Sequence, residues 1–166
     1  MAKKTEQNYI KWFGIFMGIL LVVLLIFLVV HQIDDFQQQN DPQLDRLRNI
    51  FTEFFSQDKK WEKPLDMLNN RNIPREVNLY KGKKSYTINK EKIYMCLKDP
   101  QGKYYSENML VYVLAHEYAH CLSKSIGHTD EFHEIFEAIL VAMTDAGLYD
   151  PTQEIIMDYC QNGDNS

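Results

Sequence analysis

Four of the five histidines in the chain fall between His116 and His133. His116 and His120 are four residues apart, so on an α-helix both imidazoles leave the same face. Glu117 follows the first histidine and completes the pattern H-E-x-x-H, written here "HEYAH". Two imidazoles at this spacing can bind one zinc ion, and the glutamate beside them can serve as a general base. The pattern therefore predicts a zinc peptidase site with Glu117 as the catalytic residue.

A catalytic zinc ion takes three protein ligands and keeps one position open for water. Gly127 is suited to end the helix and reverse the chain, which would bring His128 back beside the zinc-binding face. We expect His128 to be the third ligand. Three side chains on the following helix are alternatives for this role: His133, Glu134 and Glu137. The alternative for the whole cluster is a core helix whose histidines have buried partners.

Two neighbouring features have both a catalytic and a structural interpretation. Tyr112 precedes His116 by one helical turn and either donates to the oxyanion of the reaction or packs in the core. The strand predicted at 92–98 either pairs with an extended peptide as an exposed edge or is ordinary sheet. The sequence leaves both pairs of alternatives open.

The helix that carries the motif is predicted to run from about Glu107 to Ile126. Ser106 is a favourable N-cap for it, and Gly127 stands where a left-handed C-terminal cap is expected. Thr129 or Asp130 can cap the next helix. Its apolar residues recur at helical spacing: Phe132, Ile135, Phe136, Ile139, Leu140 and Met143. Gly147 ends this helix, and a last short helical segment is predicted around Ile155 and Ile156.

The residues before the motif change in character along the chain. An amphipathic helix is predicted from about Leu44, and a shorter helix over Pro64 to Asn70. The stretch 76–99 is rich in β-branched and aromatic residues and predicts two or three short strands. Within it, "YKGKKSY" at 80–86 is interpreted as a solvated hairpin loop. The order of helix, small sheet and further helices predicts an α+β fold.

One stretch differs in composition from the rest of the chain. Trp12 to Val30 contains no charged residue, and 19 helical residues nearly cross a hydrocarbon core of about 30 Å. A cleaved signal peptide is the alternative, but its apolar core is shorter, about 7–15 residues, and ends in small residues. We therefore expect a retained membrane anchor.

Charges on either side of the span predict its orientation. Lys3, Lys4 and Lys11 precede it, whereas Asp34 and Asp35 follow it. The excess of positive charge predicts a cytoplasmic N-terminus and a catalytic domain on the opposite side of the membrane. The expected organisation is an N-terminal tail, an anchor, a polar stalk, a metallopeptidase domain and a C-terminal tail, with these bounds: 1–11, 12–31, 32–43, 44–160 and 161–166.

Charge and cysteine content restrict the partners further. Without Lys3, Lys4, Lys11 and Glu6, residues 31–166 contain 15 basic and 22 acidic residues, a balance of −7. Such a domain lacks the basic surface typical of nucleic-acid binders, so a nucleic-acid partner is not expected. The cysteines form no C-x-x-C pair, which argues against a cysteine zinc site. One disulfide is compatible with an extracytoplasmic domain, and the sequence does not select its pair among Cys96, Cys121 and Cys160.

The segment "HEYAHCLSKSIGHTDEF" resembles the WLM and SprT-like zinc metallopeptidases, in which HExxH is followed by a spacer, glycine-histidine and an aromatic residue. Phe132 occupies that aromatic position. The approach "KIYMCLKDPQGKYYSENMLVYVLAHEYAH" also resembles WLM-domain proteins, especially small membrane-anchored ones encoded by large DNA viruses. The resemblance covers about residues 75–150.

This resemblance implies a minimal zincin fold, Zn²⁺ held by His116, His120 and His128, and Glu117 as the acid and base. Soluble relatives act on proteins crosslinked to DNA and carry basic regions, whereas this chain has an anchor and an acidic domain. We therefore expect a membrane-anchored zinc endopeptidase that acts on protein or peptide substrates, including membrane-associated ones, and that has no nucleic-acid partner. The alternatives are a protease of DNA-associated proteins and a non-catalytic zinc scaffold of a membrane or virion.

Overall fold

The computed structural model describes most of the chain, with these bounds: 2–57, 59–157 and 159–160. Side chains are described outside 2–11 and 34–37. The predicted C-terminal tail, 161–166, lies outside the described residues. The chain divides into two compact units, the first ending at Gln37 and the second beginning at Gln38.

The first unit is formed by helix α1 (Ala2–Gln39), whose last two residues belong to the second unit. Its apolar stretch, Trp12–Ile33, has 22 residues and a mean hydropathy of 3.3. At about 1.5 Å per residue this stretch is long and apolar enough to cross a membrane. The residues of the predicted stalk continue this helix as far as Gln39.

The second unit is α+β, as the sequence predicts, with a small three-stranded sheet. Its α-helices are α2 (Pro42–Phe55), α3 (Ile73–Glu76), α4 (Glu107–Leu122) and α5 (Asp130–Asp145). Its strands are β1 (Asn78–Lys81), β2 (Tyr86–Ile88) and β3 (Lys92–Met95). The short helix predicted over Pro64 to Asn70 is a 3₁₀ helix that begins at Asp66.

The strand order is β1-β3-β2, with β1 parallel and β2 antiparallel to β3. Asn89 and Lys90 connect β2 to β3 in left-handed conformations, with φ of 51° and 60°, which suit a tight hairpin. One prediction is therefore wrong: the segment 80–86 is no hairpin loop, because β1 and β2 lie on opposite sides of β3. The central position of β3 also decides between the two alternatives for the strand at 92–98 in favour of ordinary sheet, and β2 is an edge instead.

Helix α4 lies in the middle of the core and is buried on nearly every side. Ser106 caps it as predicted, since its side chain accepts from the backbone N–H of Met109 at 3.2 Å. The aromatic ring of Tyr118 stacks on Phe51 of α2, with ring centroids 4.9 Å apart. The helix ends at Leu122, so the predicted extension to Ile126 is wrong. Four residues thus become available for a loop between α4 and α5.

Helix α5 covers the other side of α4 and has the predicted caps. Thr129 accepts from the N–H of Phe132 at 3.4 Å, and Gly147 follows the helix with φ of +69°. The predicted apolar face is confirmed: Phe132, Ile135, Phe136, Ile139 and Met143 are buried and Leu140 is half-buried. The apolar residues bind α5 to α4 by excluding water from the shared face.

The C-terminal segment differs from its prediction. Residues 155–156 are not helical, and a disulfide between Cys96 and Cys160 ties the end of this segment to the chain beyond β3. Cys121 is the remaining thiol and is buried, which raises its pKa to about 12. The segment is short, and a helix of one or two turns gains too few hydrogen bonds to offset the cost of starting it.

Candidate metal centre

The structure brings the three predicted ligands together. His116 and His120 project from α4, and His128 stands in the loop before α5. Their nearest ligand nitrogens all lie within 4.8 Å of one another, and Nε2 of His116 is 3.1 Å from Nε2 of His128. The alternative ligands on α5 are exposed and lie outside this group: His133, Glu134 and Glu137.

The donor set fits a zinc ion. Nitrogens that bind one tetrahedral zinc ion at about 2.0–2.1 Å lie about 3.3 Å from each other. The 3.1 Å between His116 and His128 is close to that spacing, and the ring centroids of the three imidazoles are 4.9 to 5.0 Å apart. Three neutral imidazoles at this distance cannot all donate hydrogen bonds to one another. A cation at their centre would accept an electron pair from each of the three nitrogens.

The electrostatics favour the metal-binding form of the two imidazoles on α4. Burial, together with the nearby His120, His128 and His133, lowers the pKa of His116 to about 4. Burial and the neighbouring His128 also lower the pKa of His120. Because a metal binds the neutral imidazole, these two side chains can bind a cation at neutral pH without first losing protons.

The ring of Phe132 packs against all three imidazoles of the cluster. Its ring centroid lies 4.9 Å from that of His116, 4.4 Å from His120 and 4.8 Å from His128. The side chain is 1% exposed, so it packs the three imidazoles from the side of α5. Thr129 sets its position by capping the helix three residues earlier. The aromatic residue of the sequence motif is thus a packing support for all three ligands.

Glu117 is buried beside the cluster, with 5% of its surface exposed. Its Oε2 accepts a hydrogen bond of 2.7 Å from Oγ1 of Thr87, which belongs to strand β2. Burial raises the pKa of this carboxyl group, and the Thr87 hydrogen bond opposes the rise. The sequence places Thr87 in a predicted strand but does not indicate its contact with Glu117, because the two residues are 30 positions apart.

The loop that carries His128 is held from two sides. Nζ of Lys90, in the β2–β3 turn, donates to the carbonyls of Ser123 and Lys124. The carboxylate of Glu131 on α5 accepts from the backbone N–H of Lys124 at 3.1 Å and from Ser125 Oγ at 3.0 Å. Sequence reasoning missed Lys90 and Glu131, although an acidic residue in the first turn of a helix is a general signal for contacts with backbone N–H groups.

Two cavities flank the imidazoles and share His116 and Glu117. The first, about 520 Å³, is called the loop-side cavity and also has these residues in its wall: Thr87, Lys90, Ile126 and His128. The second, about 470 Å³, is called the C-terminal cavity and also has these: Met109, Val113, Ile155, Ile156 and Met157. Both cavities give access to the carboxyl group of Glu117.

Tyr112 lines the C-terminal cavity near His116. Its ring packs edge-on against Phe136, with centroids 5.2 Å apart, and lies 6.2 Å from the ring of Tyr149. These contacts give the tyrosine a packing role. Its predicted alternative role, stabilising an oxyanion, stays a prediction.

Comparison with known proteins finds two similar viral proteins. Uncharacterized protein 136R of Invertebrate iridescent virus 6 is 42% identical over 118 residues, which cover 69% of this chain and 66% of that protein. Uncharacterized protein 042R of Invertebrate iridescent virus 3 is 41% identical over 98 residues, which cover 58% of this chain and 62% of that protein. The chain thus spans just under two thirds of each relative. No family model matches the sequence, and no solved structure matches the chain.

Proposed function

We propose that this chain is a membrane-anchored zinc endopeptidase of the WLM and SprT-like kind, built on a minimal zincin fold. The main support is one arrangement: three histidine nitrogens within 4.8 Å of one another, with the buried carboxyl group of Glu117 beside them. Two cavities open onto this arrangement, which gives a polypeptide a path across it. The similarity to viral proteins supports a viral origin for the chain, in a virion or host membrane.

His116, His120 and His128 would hold the zinc ion. When bound there, zinc supplies a Lewis acid that lowers the pKa of a water molecule and polarises the carbonyl group of the scissile bond. Glu117 then takes the proton of the attacking water on its carboxylate and passes it to the nitrogen of the leaving amine. Thr87 holds Oε2 of Glu117 during both transfers, which keeps the plane of the carboxylate constant.

The substrate would cross the site as an extended strand. Strand β2 is an edge of the sheet, and its Thr87 already contacts Glu117, so the edge borders the reacting groups. Backbone N–H and C=O groups on an edge strand can pair with an added strand. We therefore propose for β2 the peptide-pairing role that was one of the two alternatives for the strand at 92–98.

We further propose that helix α1 anchors the peptidase with its N-terminus in the cytoplasm. The apolar stretch Trp12–Ile33 supports the anchor, and the lysines before it support the orientation. The Cys96–Cys160 disulfide supports a second unit in an oxidising compartment. The orientation is checked by adding a membrane-impermeant protease to the outside of intact cells that contain the chain, and then labelling Cys121 after denaturation. We expect the protease to remove the labelled full-length chain. A second unit that stays protected would contradict this orientation.

The function is tested with the full chain in nanodiscs, supplied with one equivalent of zinc. We expect one zinc ion per wild-type chain and cleavage of unfolded casein. Glu117→Gln should keep the zinc ion and lose cleavage by at least about 100-fold, because it removes the proton acceptor. His128→Ala should lower zinc affinity, since two protein ligands bind zinc more weakly than three.

His133→Ala is the matched control, because it removes a neighbouring exposed imidazole that lies outside the ligand group. It should keep both zinc and cleavage. Equal zinc loss in the His133 and His128 variants would contradict the ligand assignment. Zinc binding without any cleavage by the wild-type chain would contradict the peptidase and favour a scaffold, although a structural zinc site normally has four protein ligands.

A second candidate is a peptidase for DNA-associated proteins, and one surface favours it. A third cavity, about 690 Å³, is lined by four lysines: Lys81, Lys83, Lys84 and Lys98. Asp99 also lines it, and Lys81 lies 4.0 Å from a carboxylate oxygen of Asp41, so its positive charge is partly offset. DNA binding that weakens steeply with salt would favour this candidate, and the absence of DNA binding even at low ionic strength would remove it.

A further inference from the structure

Four exposed apolar side chains line the two cavities: Tyr86, Ile126, Ile156 and Met157. The other large apolar side chains that are exposed in the described residues after helix α1 lie outside both walls: Ile88, Tyr104 and Val141. The two most exposed are Ile126, at 93%, and Met157, at 89%. Ile126 lines the loop-side cavity and Met157 lines the C-terminal cavity. Apolar surface of this kind, collected at one place, is typical of a binding site.

The C-terminal cavity has more aliphatic side chains and methionines in its wall than the loop-side cavity has. Its walls combine Met109 and Val113 of helix α4 with Ile155, Ile156 and Met157 of the C-terminal segment. His116 and Glu117 stand at the boundary between this cavity and the loop-side cavity. A polypeptide whose scissile bond lies beside Glu117 can therefore place an adjacent side chain in the C-terminal cavity.

The end of the segment that forms this wall is fastened to the rest of the second unit. The disulfide joins Cys160 to Cys96, and the backbone N–H of Cys160 donates to the hydroxyl group of Tyr105 at 3.1 Å. The hydroxyl group of Tyr159 lies 3.0 Å from Ser85 Oγ and also donates to the carbonyl of Cys96. A segment that is tied at one end loses less conformational entropy on binding a side chain than a free end would.

We propose that the substrate is a polypeptide with a bulky apolar side chain next to the scissile bond, and that Ile156 and Met157 select it. This inference rests on the proposed peptidase function. The apolar side chain would enter the C-terminal cavity and contact the C-terminal segment, while the substrate carbonyl lies at Glu117. Burying one leucine-sized side chain there corresponds to roughly a 10- to 100-fold preference over serine.

The test uses binding, which needs no turnover. The full-length Glu117→Gln chain, in nanodiscs with zinc, is titrated into two fluorescein-labelled peptides that differ only in a central Leu-Leu or Ser-Ser pair. We expect the leucine peptide to bind at least about 10-fold more tightly. Adding Ile156→Ser and Met157→Ser should abolish this preference. Both side chains are partly or fully exposed, so these changes should leave the fold intact.

Val141→Ser is the matched control, since Val141 is an exposed apolar residue on helix α5 outside the walls of both cavities. It should preserve the preference for leucine. Equal binding of the two peptides, no binding of either, or a preference that survives the double substitution would overturn the inference. Empty nanodiscs measure the affinity of each peptide for lipid alone.

The same peptides, given to the wild-type chain, separate this inference from the proposed function. Cleavage of both peptides at equal kcat/KM would keep the peptidase and overturn the selection of apolar side chains. Tight, selective binding of the leucine peptide without any cleavage would keep the apolar site and overturn the peptidase. Cleavage that favours leucine by about 10-fold, and loses this preference in the double variant, supports both.

Discussion

The two sides of the cleft are held by different chemistry. On the loop side, Lys90 donates to the backbone before His128 and the carboxylate of Glu131 accepts from it. On the C-terminal side, the disulfide between Cys96 and Cys160 holds the apolar wall covalently. The first side carries one of the proposed metal ligands, and the second carries the surface that we propose for substrate. The difference suggests that metal affinity and substrate preference can be weakened independently of each other.

Removing the disulfide should have the largest effect on the stability of the second unit. Within the site it should change only the C-terminal side. The loop it closes has a sequence separation of 64 residues, for which chain entropy gives about 4 kcal/mol of stability. Cys96→Ala with Cys160→Ala should therefore lower the melting temperature of the second unit by roughly 10–20 °C. The preference for the leucine peptide should fall as well, while one zinc ion still binds per chain.

A phosphine reductant offers the matched control for this prediction. It should lower the melting temperature of the wild-type chain and leave that of the double cysteine variant unchanged. If the variant also responds, the effect does not come from this disulfide. Loss of zinc together with the apolar preference would show that the two sides are coupled.

Lys90→Met should have the next largest effect, and on the loop side only. It removes a charged donor from the carbonyls of Ser123 and Lys124, so His128 is held less firmly. Lys90 is also a positive charge near His120, where it adds to burial and His128 in lowering the pKa of that imidazole. Removing this charge would by itself reduce the repulsion of a bound cation. We expect the loss of positioning to exceed this gain, because groups that orient metal ligands contribute about 10- to 100-fold in affinity.

Competition with a fluorescent zinc chelator measures this change, and Lys83→Met is the control. Lys83 is an exposed lysine of the third cavity, and its substitution removes the same formal charge away from the imidazoles. Zinc affinity should fall in the Lys90 variant alone, with the preference for leucine unchanged. Unchanged or tighter zinc binding would show that the loop keeps His128 in place without Lys90.

Thr87→Val should have the smallest effect, at the centre that both sides share. The substitution keeps the shape of the side chain and removes the hydrogen bond to Glu117 Oε2. We expect kcat to fall about 10-fold, as for the loss of one hydrogen bond of roughly 1.4 kcal/mol. KM, zinc content and the preference for leucine should stay the same, since none of them depends on this bond.

Thr87→Ser keeps the hydroxyl group and should restore most of kcat. This rescue separates the hydrogen bond from packing, because serine lacks the methyl group that valine and threonine share. Equal losses in the serine and valine variants would assign Thr87 a packing role. A change in zinc content in either variant would contradict a role limited to Glu117.

The sequence by itself determined the features that depend on local geometry. The four-residue spacing of His116 and His120 places both on one face of a helix, wherever that helix lies. The caps at Ser106 and Thr129 follow from side chains that accept from N–H groups two or three residues ahead. The apolar length of α1 needs no tertiary contact either.

Only the tertiary structure decided which distant residues complete the site. Thr87 reaches Glu117 across 30 residues of sequence, and Lys90 reaches Ser123 across 33. No local pattern marks such partners, because their contacts depend on how β2 and its turn pack against α4. The same holds for the disulfide, since three cysteines allow three pairs and the fold alone brings Cys96 and Cys160 within 6.2 Å between Cα atoms. Local spacing thus set the chemistry of the ligands, and packing over long sequence distances set what holds them.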